Sequence, residues 1–491
     1  MSKFIYKSAT ELAHLIREGR ATSSDIVKEH LEQIKKHNEK INALISLFEE
    51  EALEQAAQCD RETKEDKFRG PLHGVPVTIK EIFWIKGKHS NMNFKMLKDF
   101  VAPEDAVVID RIRKNGAVIL GQTNVPKNLS GYQVTGDIYP EGKNPYNTEF
   151  TPGGSTGGGA AALAAGFTSL ELGADLGGSI RVPASFCGLY GLKPTEKTIP
   201  VHGNFPLPKN FSTFIVHMGQ AGPLARNVDD IELLWRVIVG PHESDRNIPD
   251  IDWKQPSKNS FSDYKIAWTD GWPGYETSSP VRNALKSLAD KLMSSGCHIE
   301  KKIPDDFLHE DSLKVFMGLF PYVMAQGTPW FIRAIIKIHN HRTFLKGMKK
   351  ESPHLIKFLH EGFKLNANHY GHMMLQRSLI TQRWEQFFNQ YDFLICPVAF
   401  GPAYKRCKMG SKLSYDGKDM LYAKYAWPYV GCFNASGSPS ITIPLGLSPE
   451  GLPLGAQIVG KYWSEPELIH FAKQVSKLTD GFIRPVDIET A

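Results

Sequence analysis

A chain of 491 residues, 41% apolar and 23% charged, has ample material for a buried core and fits one large domain or two or three ordinary ones. Its formal charge of +5 is the small difference between 58 basic and 53 acidic side chains without a dense Lys/Arg block, which argues against nucleic acid as a partner. The six cysteines, Cys59, Cys187, Cys297, Cys396, Cys407 and Cys432, make no CxxC pair and no compact framework, so they read as reduced thiols.

The opening segment reaches charged residues without an apolar stretch of secretory length, so no signal peptide is expected and a cytoplasmic location is the default. Ser8-Ala-Thr-Glu11 has capping-box spacing ahead of Leu12, Leu15 and Ile16, which predicts a first helix stopped by Gly19. A second follows Thr22, with Ile26, Val27 and Ile34 on one face. "GVPVTIKEIFWI" (74–85) reads as a strand, because β-branched and aromatic residues dominate it. The charged helix "VVIDRIRKN" and the short buried strand "GAVILGQTN" (116–124) then alternate as in α/β layers. Residues 151–188 form a glycine-rich centre with one helical piece, "GGAAALAAG", whose alanines permit close packing.

From 245 to 265 the composition turns polar, with Pro249 and Pro256, which marks a surface connection. "SPVRNALKSLADKLMSSG" (279–296) is an amphipathic helix, "YDFLICPVAF" (391–400) and "SPSITIPLG" (438–446) return to strand character, and "EPELIHFAKQVSKL" (465–478) closes with a helix. The most apolar run, "VFMGLFPYVMA" (315–325), contains Pro321 and is shorter than the roughly 20 residues a spanning helix needs.

Three stretches carry candidate chemistry. "GADLGGSIRVPASFCG" (173–188) leaves Ser179 uncrowded behind two glycines, which can turn successive N–H groups toward one point and admit a substrate carbonyl. A plain tight turn explains the same residues. "TPGGSTGGGAAA" (151–162) formally fits a nucleophile elbow around Ser155, but no buried strand precedes it, and a phosphate loop would need a Gly-Lys-Ser/Thr ending. Lys80 ends an apolar strand, where it points opposite to Glu81; it is either a surface residue or a desolvated amine able to act as a neutral base.

Together, "GVPVTIKE", "GQTNVP", the span 153–195 and "NASGSPSITIPLGLSPEGLPLGAQIVG" (434–460) closely resemble the amidase signature family over most of the chain except roughly 240–390. The resemblance implies an α/β fold with a large mixed sheet sandwiched between helices. It also implies a Ser–cisSer–Lys triad: Ser179 in the place of the nucleophile, Ser155 in that of the serine with a cis peptide bond, and Lys80 in that of the base. The N–H groups of Leu176, Gly177, Gly178 and Ser179 would form the oxyanion hole, with Asp175 and Arg181 bracing the loop and Thr156 supporting it. Departures are Ala174 where the family usually has a hydroxyl residue, Thr156 for the commoner second Ser, and Gly159 where Ser or Glu is frequent. Loss of the hydroxyl at 174 is expected to weaken orientation of the lysine or the hole.

Other features are discounted. His339 with His341, and His369 with His372, lack a third ligand at metal spacing, and Cys187 is a small core residue. Residues 328–350 are either a membrane-surface helix or a cap helix buried over the site, and the cap is favoured.

The expectation is one domain over 1–491, with N-terminal helices at 8–58, a signature core at 70–235, a helical cap at about 279–390 and a core return at 391–478. It would hydrolyse an apolar or aromatic acyl amide without metal or organic cofactor, with a homodimer as the assembly allowed for. The rivals are the glutaminase (A) subunit of a tRNA-dependent amidotransferase and a catalytically silent, membrane-associated binding protein. "FIVHMGQAGP" (214–223) stands where the glutaminase branch carries an "SSLDQIGP"-like stretch, which favours the stand-alone hydrolase.

Overall fold

The computed structural model describes residues 3–204, 217–304, 308–325, 330–342 and 344–486. In chain order the helices are α1 (Ala9–Arg17), α2 (Ser23–Ile41), α3 (Glu49–Lys64), α4 (Val107–Lys114), α5 (Gly157–Ala164), α6 (Arg181–Phe186), α7 (Val228–Ile238) and α8 (Ser279–Ser294). They continue with α9 (Leu308–Ala325), α10 (Trp330–Arg342), α11 (Met348–Glu351), α12 (Pro353–Gly362), α13 (Ala367–Phe388), α14 (Trp427–Ser436) and α15 (Glu465–Val475). The first strands are β1 (Leu44–Leu47), β2 (Pro76–Lys80), β3 (Val118–Thr123), β4 (Leu170–Asp175), β5 (Tyr190–Lys193), β6 (Gln220–Ala225) and β7 (Lys265–Trp268). After the small pair β8 (Gly271–Trp272) and β9 (Tyr275–Glu276) come β10 (His298–Lys301) and β11 (Phe393–Pro397). A second small pair, β12 (Lys412–Tyr415) and β13 (Lys418–Leu421), precedes β14 (Ser440–Leu447) and β15 (Pro453–Gly460).

Eleven strands join in one mixed sheet, ordered β1-β3-β2-β4-β6-β5-β14-β15-β11-β7-β10. β2 runs parallel to both its neighbours, β3 and β4, and every residue of β2 is buried. Helices cover both faces, as an α/β sheet buried on both sides requires. Strand alternation sorts the side chains. Val77, Ile79, Leu170 and Leu172 join the cluster containing α4, α7, α8 and α15. Val118 and Leu120 of β3 instead meet α2, α3 and the alanines of α5. Thr78, Lys80 and Glu171 therefore fall on the face covered by α5.

The expected strand at 74–85 stops at Lys80. There Ile82 N–H turns back onto Lys80 O at 2.7 Å, and the Glu81 carboxylate accepts the N–H groups of Asn91 (2.5 Å) and Met92 (2.8 Å). The polar stretch at 245–265 leads into β7 of the same sheet. α8 packs on the sheet, while α9, α12 and α13 cluster with α14 above it, so the overhanging helices begin at α9. The apolar run at 315–325 lies in α9, and no helix among the described residues is long and apolar enough to cross a membrane.

The Ser8–Glu11 capping box forms as expected. The first turn of α1 is also held from outside, because buried Asp230 of α7 accepts from Ala9 N (2.8 Å), Thr10 N (2.9 Å) and Thr10 Oγ1 (2.8 Å). Asp230→Ala leaves these donors without their acceptor and is expected to cost about 1–3 kcal/mol. A lowered denaturation midpoint, with faster proteolytic release of the N-terminal segment, is the expected reading; an unchanged midpoint would show that α1 is held by its apolar face alone.

Candidate active site

Lys80, Ser155 and Ser179 line one cavity, roofed by α9 and α14. Lys80 is fully buried at the end of β2, and its Nζ donates to Ser155 Oγ at 2.8 Å and to Ala174 O at 3.0 Å. Burial drives its amine down to about 7 from the usual lysine range, against the opposing pull of Asp175 and Glu171. Ser155 follows a cis peptide bond from Gly154, in the turn that leads into α5. The chain at Thr156 N donates to Ser179 O at 3.0 Å, which ties the two serine loops together. No hydrogen bond joins the Ser155 and Ser179 hydroxyls, so the lysine half of the array is closed and the other half open.

The loop after β4 is shaped by a buried ion pair. Arg181 donates to Asp175 through Nε and Nη2, both at 3.0 Å, and both side chains are fully buried. Burial alone would raise the Asp175 carboxyl, but Arg181, Asn434 and the Gly178 N–H hold it well below the usual carboxylate range. Gly178 departs from expectation: its N–H donates to Asp175 Oδ1 at 2.8 Å and is engaged there. Leu176, Gly177 and Ser179 line the cavity, whereas the Gly178 N–H is already engaged by Asp175. Gly178 has φ of 97° and a Cβ there would lie 2.6 Å from Val430, so only glycine fits the turn.

Ala174 costs the site less than its missing hydroxyl suggests. Its carbonyl accepts from Lys80 Nζ and, at 3.4 Å, from Thr156 Oγ1, so backbone does the orienting. Sequence reasoning missed Tyr132, Asn434 and Gln457. Tyr132 donates its hydroxyl to Gly177 O at 2.8 Å. Asn434 donates to Asp175 Oδ1 at 2.9 Å and accepts from Arg181 Nη2 at 2.5 Å, and Gln457 Oε1 accepts from Arg181 Nη1 at 3.0 Å. The one available signal was that Asn434 and Gln457 lie inside the C-terminal stretch at 434–460.

One wall of the cavity is apolar, formed by Phe316, Met317, Phe320 and Val323 of α9 with Phe344, Leu345 and Trp427, while Ser130, Asn204 and Gln220 add neutral polar groups elsewhere in the lining. Phe316 stacks on Phe320 at 5.6 Å between centroids and covers Gly177, where a Cβ would lie 3.3 Å from the ring. α10 differs from a buried cap helix, since Trp330 is 74% exposed and Phe331, Ile335 and Ile338 are exposed as well. His369 stacks on Tyr322 and His372 is exposed, while the side chains of His339 and His341 lie outside the described residues. Cys59, Glu62 and His73 form the one metal-like group among the described residues. There Glu62 is engaged by Arg69 at 2.7 and 2.5 Å, and His73 Nδ1 accepts from Arg69 N, which makes it a hydrogen-bonded node away from the cavity.

Residues 25–469 match the family model described as Amidase. The chain belongs to the amidase family. As an amidase it is a hydrolase of amide C–N bonds. Among its relatives, the A-subunit of glutamyl-tRNA(Gln) amidotransferase from Exiguobacterium sibiricum is 30% identical over 487 residues, covering 96% of this chain and 97% of that protein. Among solved structures, 6-aminohexanoate cyclic dimer hydrolase complexed with substrate has a TM-score of 0.80 at 23% identity, covering 99% of each chain. Fatty acid amide hydrolase has a TM-score of 0.78 at 23% identity, covering 98% of this chain and 86% of the other. These two likenesses establish the amidase fold.

Because Asn434 bridges both partners of the buried ion pair, Asn434→Ala is expected to cost this amidase about 1–3 kcal/mol of stability. The loop it steadies carries Ser179 and the N–H groups expected to receive an oxyanion, so kcat should fall more than KM rises; a variant with wild-type kcat would detach Asn434 from the site.

Proposed function

We propose that this amidase cleaves amides of bulky apolar or aromatic acids through an acyl-Ser179 intermediate, with Lys80 as base and Ser155 as relay. The lining carries the reading. The charged groups among the described cavity residues are Lys80 and Asp175, and Asp175 is neutralised by Arg181. An aromatic and aliphatic wall suits an apolar acyl chain, whereas the ammonium and carboxylate of glutamine would face that wall without a charged partner.

In this scheme neutral Lys80 takes the Ser155 proton, while Ser155 takes the Ser179 proton as Ser179 Oγ bonds to the amide carbon. The N–H groups of Leu176, Gly177 and Ser179 receive the oxyanion. The proton returns through Ser155 to the leaving nitrogen, the C–N bond breaks, and water then releases the acid from Ser179 by the same path in reverse. At 2.8 Å from Ser155 Oγ, Lys80 Nζ donates when charged and accepts once neutral. We place the enzyme in the cytoplasm, a reading supported by six free thiols.

A second reading rests on the relatives. The Exiguobacterium sibiricum protein and that of Natranaerobius thermophilus, each 30% identical over almost the whole chain, are both named as the A-subunit of glutamyl-tRNA(Gln) amidotransferase. Under it the chain would free ammonia from glutamine inside an assembly, and part of the segment that separates the readings, 214–216, lies outside the described residues.

Hydrolysis of short, aromatic and long-chain acyl amides, with glutamine alongside, separates the two: preference for apolar acyl groups supports the stand-alone enzyme, and turnover of glutamine alone supports the amidotransferase component. Ser179→Ala should abolish the acyl adduct seen by intact-protein mass spectrometry while leaving the fold intact; an adduct that persists would move the nucleophile elsewhere. Since the base must be neutral, kcat/KM should fall as pH drops through about 7, where Lys80 gains its proton. Activity that holds level well below that pH would remove Lys80 from the role.

A further inference from the structure

On the α5 face of the sheet lies a second ionisable group that the hydrolytic scheme does not use. Glu171 of β4 is fully buried, and its Cα is in register with Thr78, two residues before Lys80. Thr123, the register partner of Lys80 on β3, donates its hydroxyl to Glu171 Oε1 at 2.7 Å. Oε2 makes no hydrogen bond of normal geometry, although the Thr78 hydroxyl stands close enough to favour the charged form. Room for the carboxylate comes from Gly159 of α5, where a Cβ would lie 2.2 Å from Oε1 and 2.3 Å from Cδ. A side chain at 159 and a carboxylate in this niche exclude each other.

The charges around the pair do not balance without it. Lys80 is acted on by two carboxylates, Asp175 and Glu171, and Asp175 is already neutralised by Arg181 of α6. Among the described residues, the cation that favours the ionised form of Glu171 is Lys80. A buried charge without a counter-charge is expensive, so a charged Lys80 and a charged Glu171 each favour the ionised form of the other. Burial works against both charged forms, lowering the amine to about 7 and raising the carboxyl to about 7. The other groups facing the pair are the hydroxyls of Thr78 on β2, Thr123 on β3, and Ser155 and Ser179 on the two loops. α5 and β6, which pack against β4, carry no titratable side chain.

We propose that Glu171 is a positioning residue for Lys80: seated in the niche left by Gly159 and held by the Thr123 hydroxyl, its carboxylate supports the ammonium form and so sets the pH at which the amine becomes a base. This rests on the reading of Lys80 as the base. It also accounts for the departure at position 159, where a side chain would occupy the place of the carboxylate.

The test is the acid limb of kcat/KM for p-nitrophenyl hexanoate, in wild type, Glu171→Gln, Thr123→Val and Lys80→Ala. Removing the carboxylate charge withdraws support from the ammonium, so Glu171→Gln should move the limb to lower pH by about one unit. Thr123→Val removes the donor to Oε1, makes the carboxylate less readily charged, and should move the limb the same way by less. It also decides the matter if Glu171→Gln does not fold. A limb that stays in place in the folded variants, whatever happens to the rate, makes Glu171 a structural residue and overturns the inference. Lys80→Ala separates the two readings: a limb that persists there defeats Lys80 as base, whereas a limb that vanishes there but does not move in the other variants defeats Glu171 alone.

Discussion

The Asp175–Arg181 pair, sealed from solvent, is the contact on which the site depends. A buried ion pair adds little net stability by itself, because desolvation consumes most of the attraction. Its value here is directional. Asp175 accepts from the N–H groups of Gly178 and Ile180 as well as from Arg181, so one carboxylate dictates the path of the whole turn that carries Ser179. Arg181 spends its remaining donors on Val430 O, Gln457 and Asn434, which belong to α14 and β15. The loop after β4 is thus clamped by residues roughly 250–275 positions further along the chain.

A second constraint is the division of labour between the two faces of β2 and β4. Val77, Ile79, Leu170 and Leu172 serve the apolar core on one face, which leaves Thr78, Lys80 and Glu171 for the other. Polar groups can be buried there because α5, all glycine and alanine but for Leu163, packs closely against the sheet. Desolvation then sets the proton affinity: burial makes a charged Lys80 costly and lowers its amine to about 7. The apolar wall from α9 adds a dry region beside the amine without adding charge.

Much of the fold was legible locally. The capping box at Ser8, the amphipathic α8 and the strands around 116–124, 391–400 and 438–446 follow from periodicity and turn chemistry, and the structure contains them. The strand at 74–85 was read too long because its apolar content persists after the chain turns, and burial in a turn looks like burial in a strand. The apolar content of 328–350 was read as burial, yet the Trp330 and Phe331 side chains are exposed; composition alone does not say which way a helix faces. Gly178 was grouped with its neighbours as an oxyanion donor, since nothing in a run of glycines tells which N–H is taken by Asp175.

By itself the sequence determined the α/β alternation of elements and the family, because these are written in local pattern and motif spacing. The tertiary structure decided what each group experiences. Lys80 and Ser155 are 75 positions apart, and Asp175 and Asn434 are 259 apart, so their contacts exist only once the sheet has formed. The charge state of Lys80, the engagement of Gly178 and the pairing of Gly159 with Glu171 are properties of burial and distance. They arise from packing, to which a linear pattern gives no access.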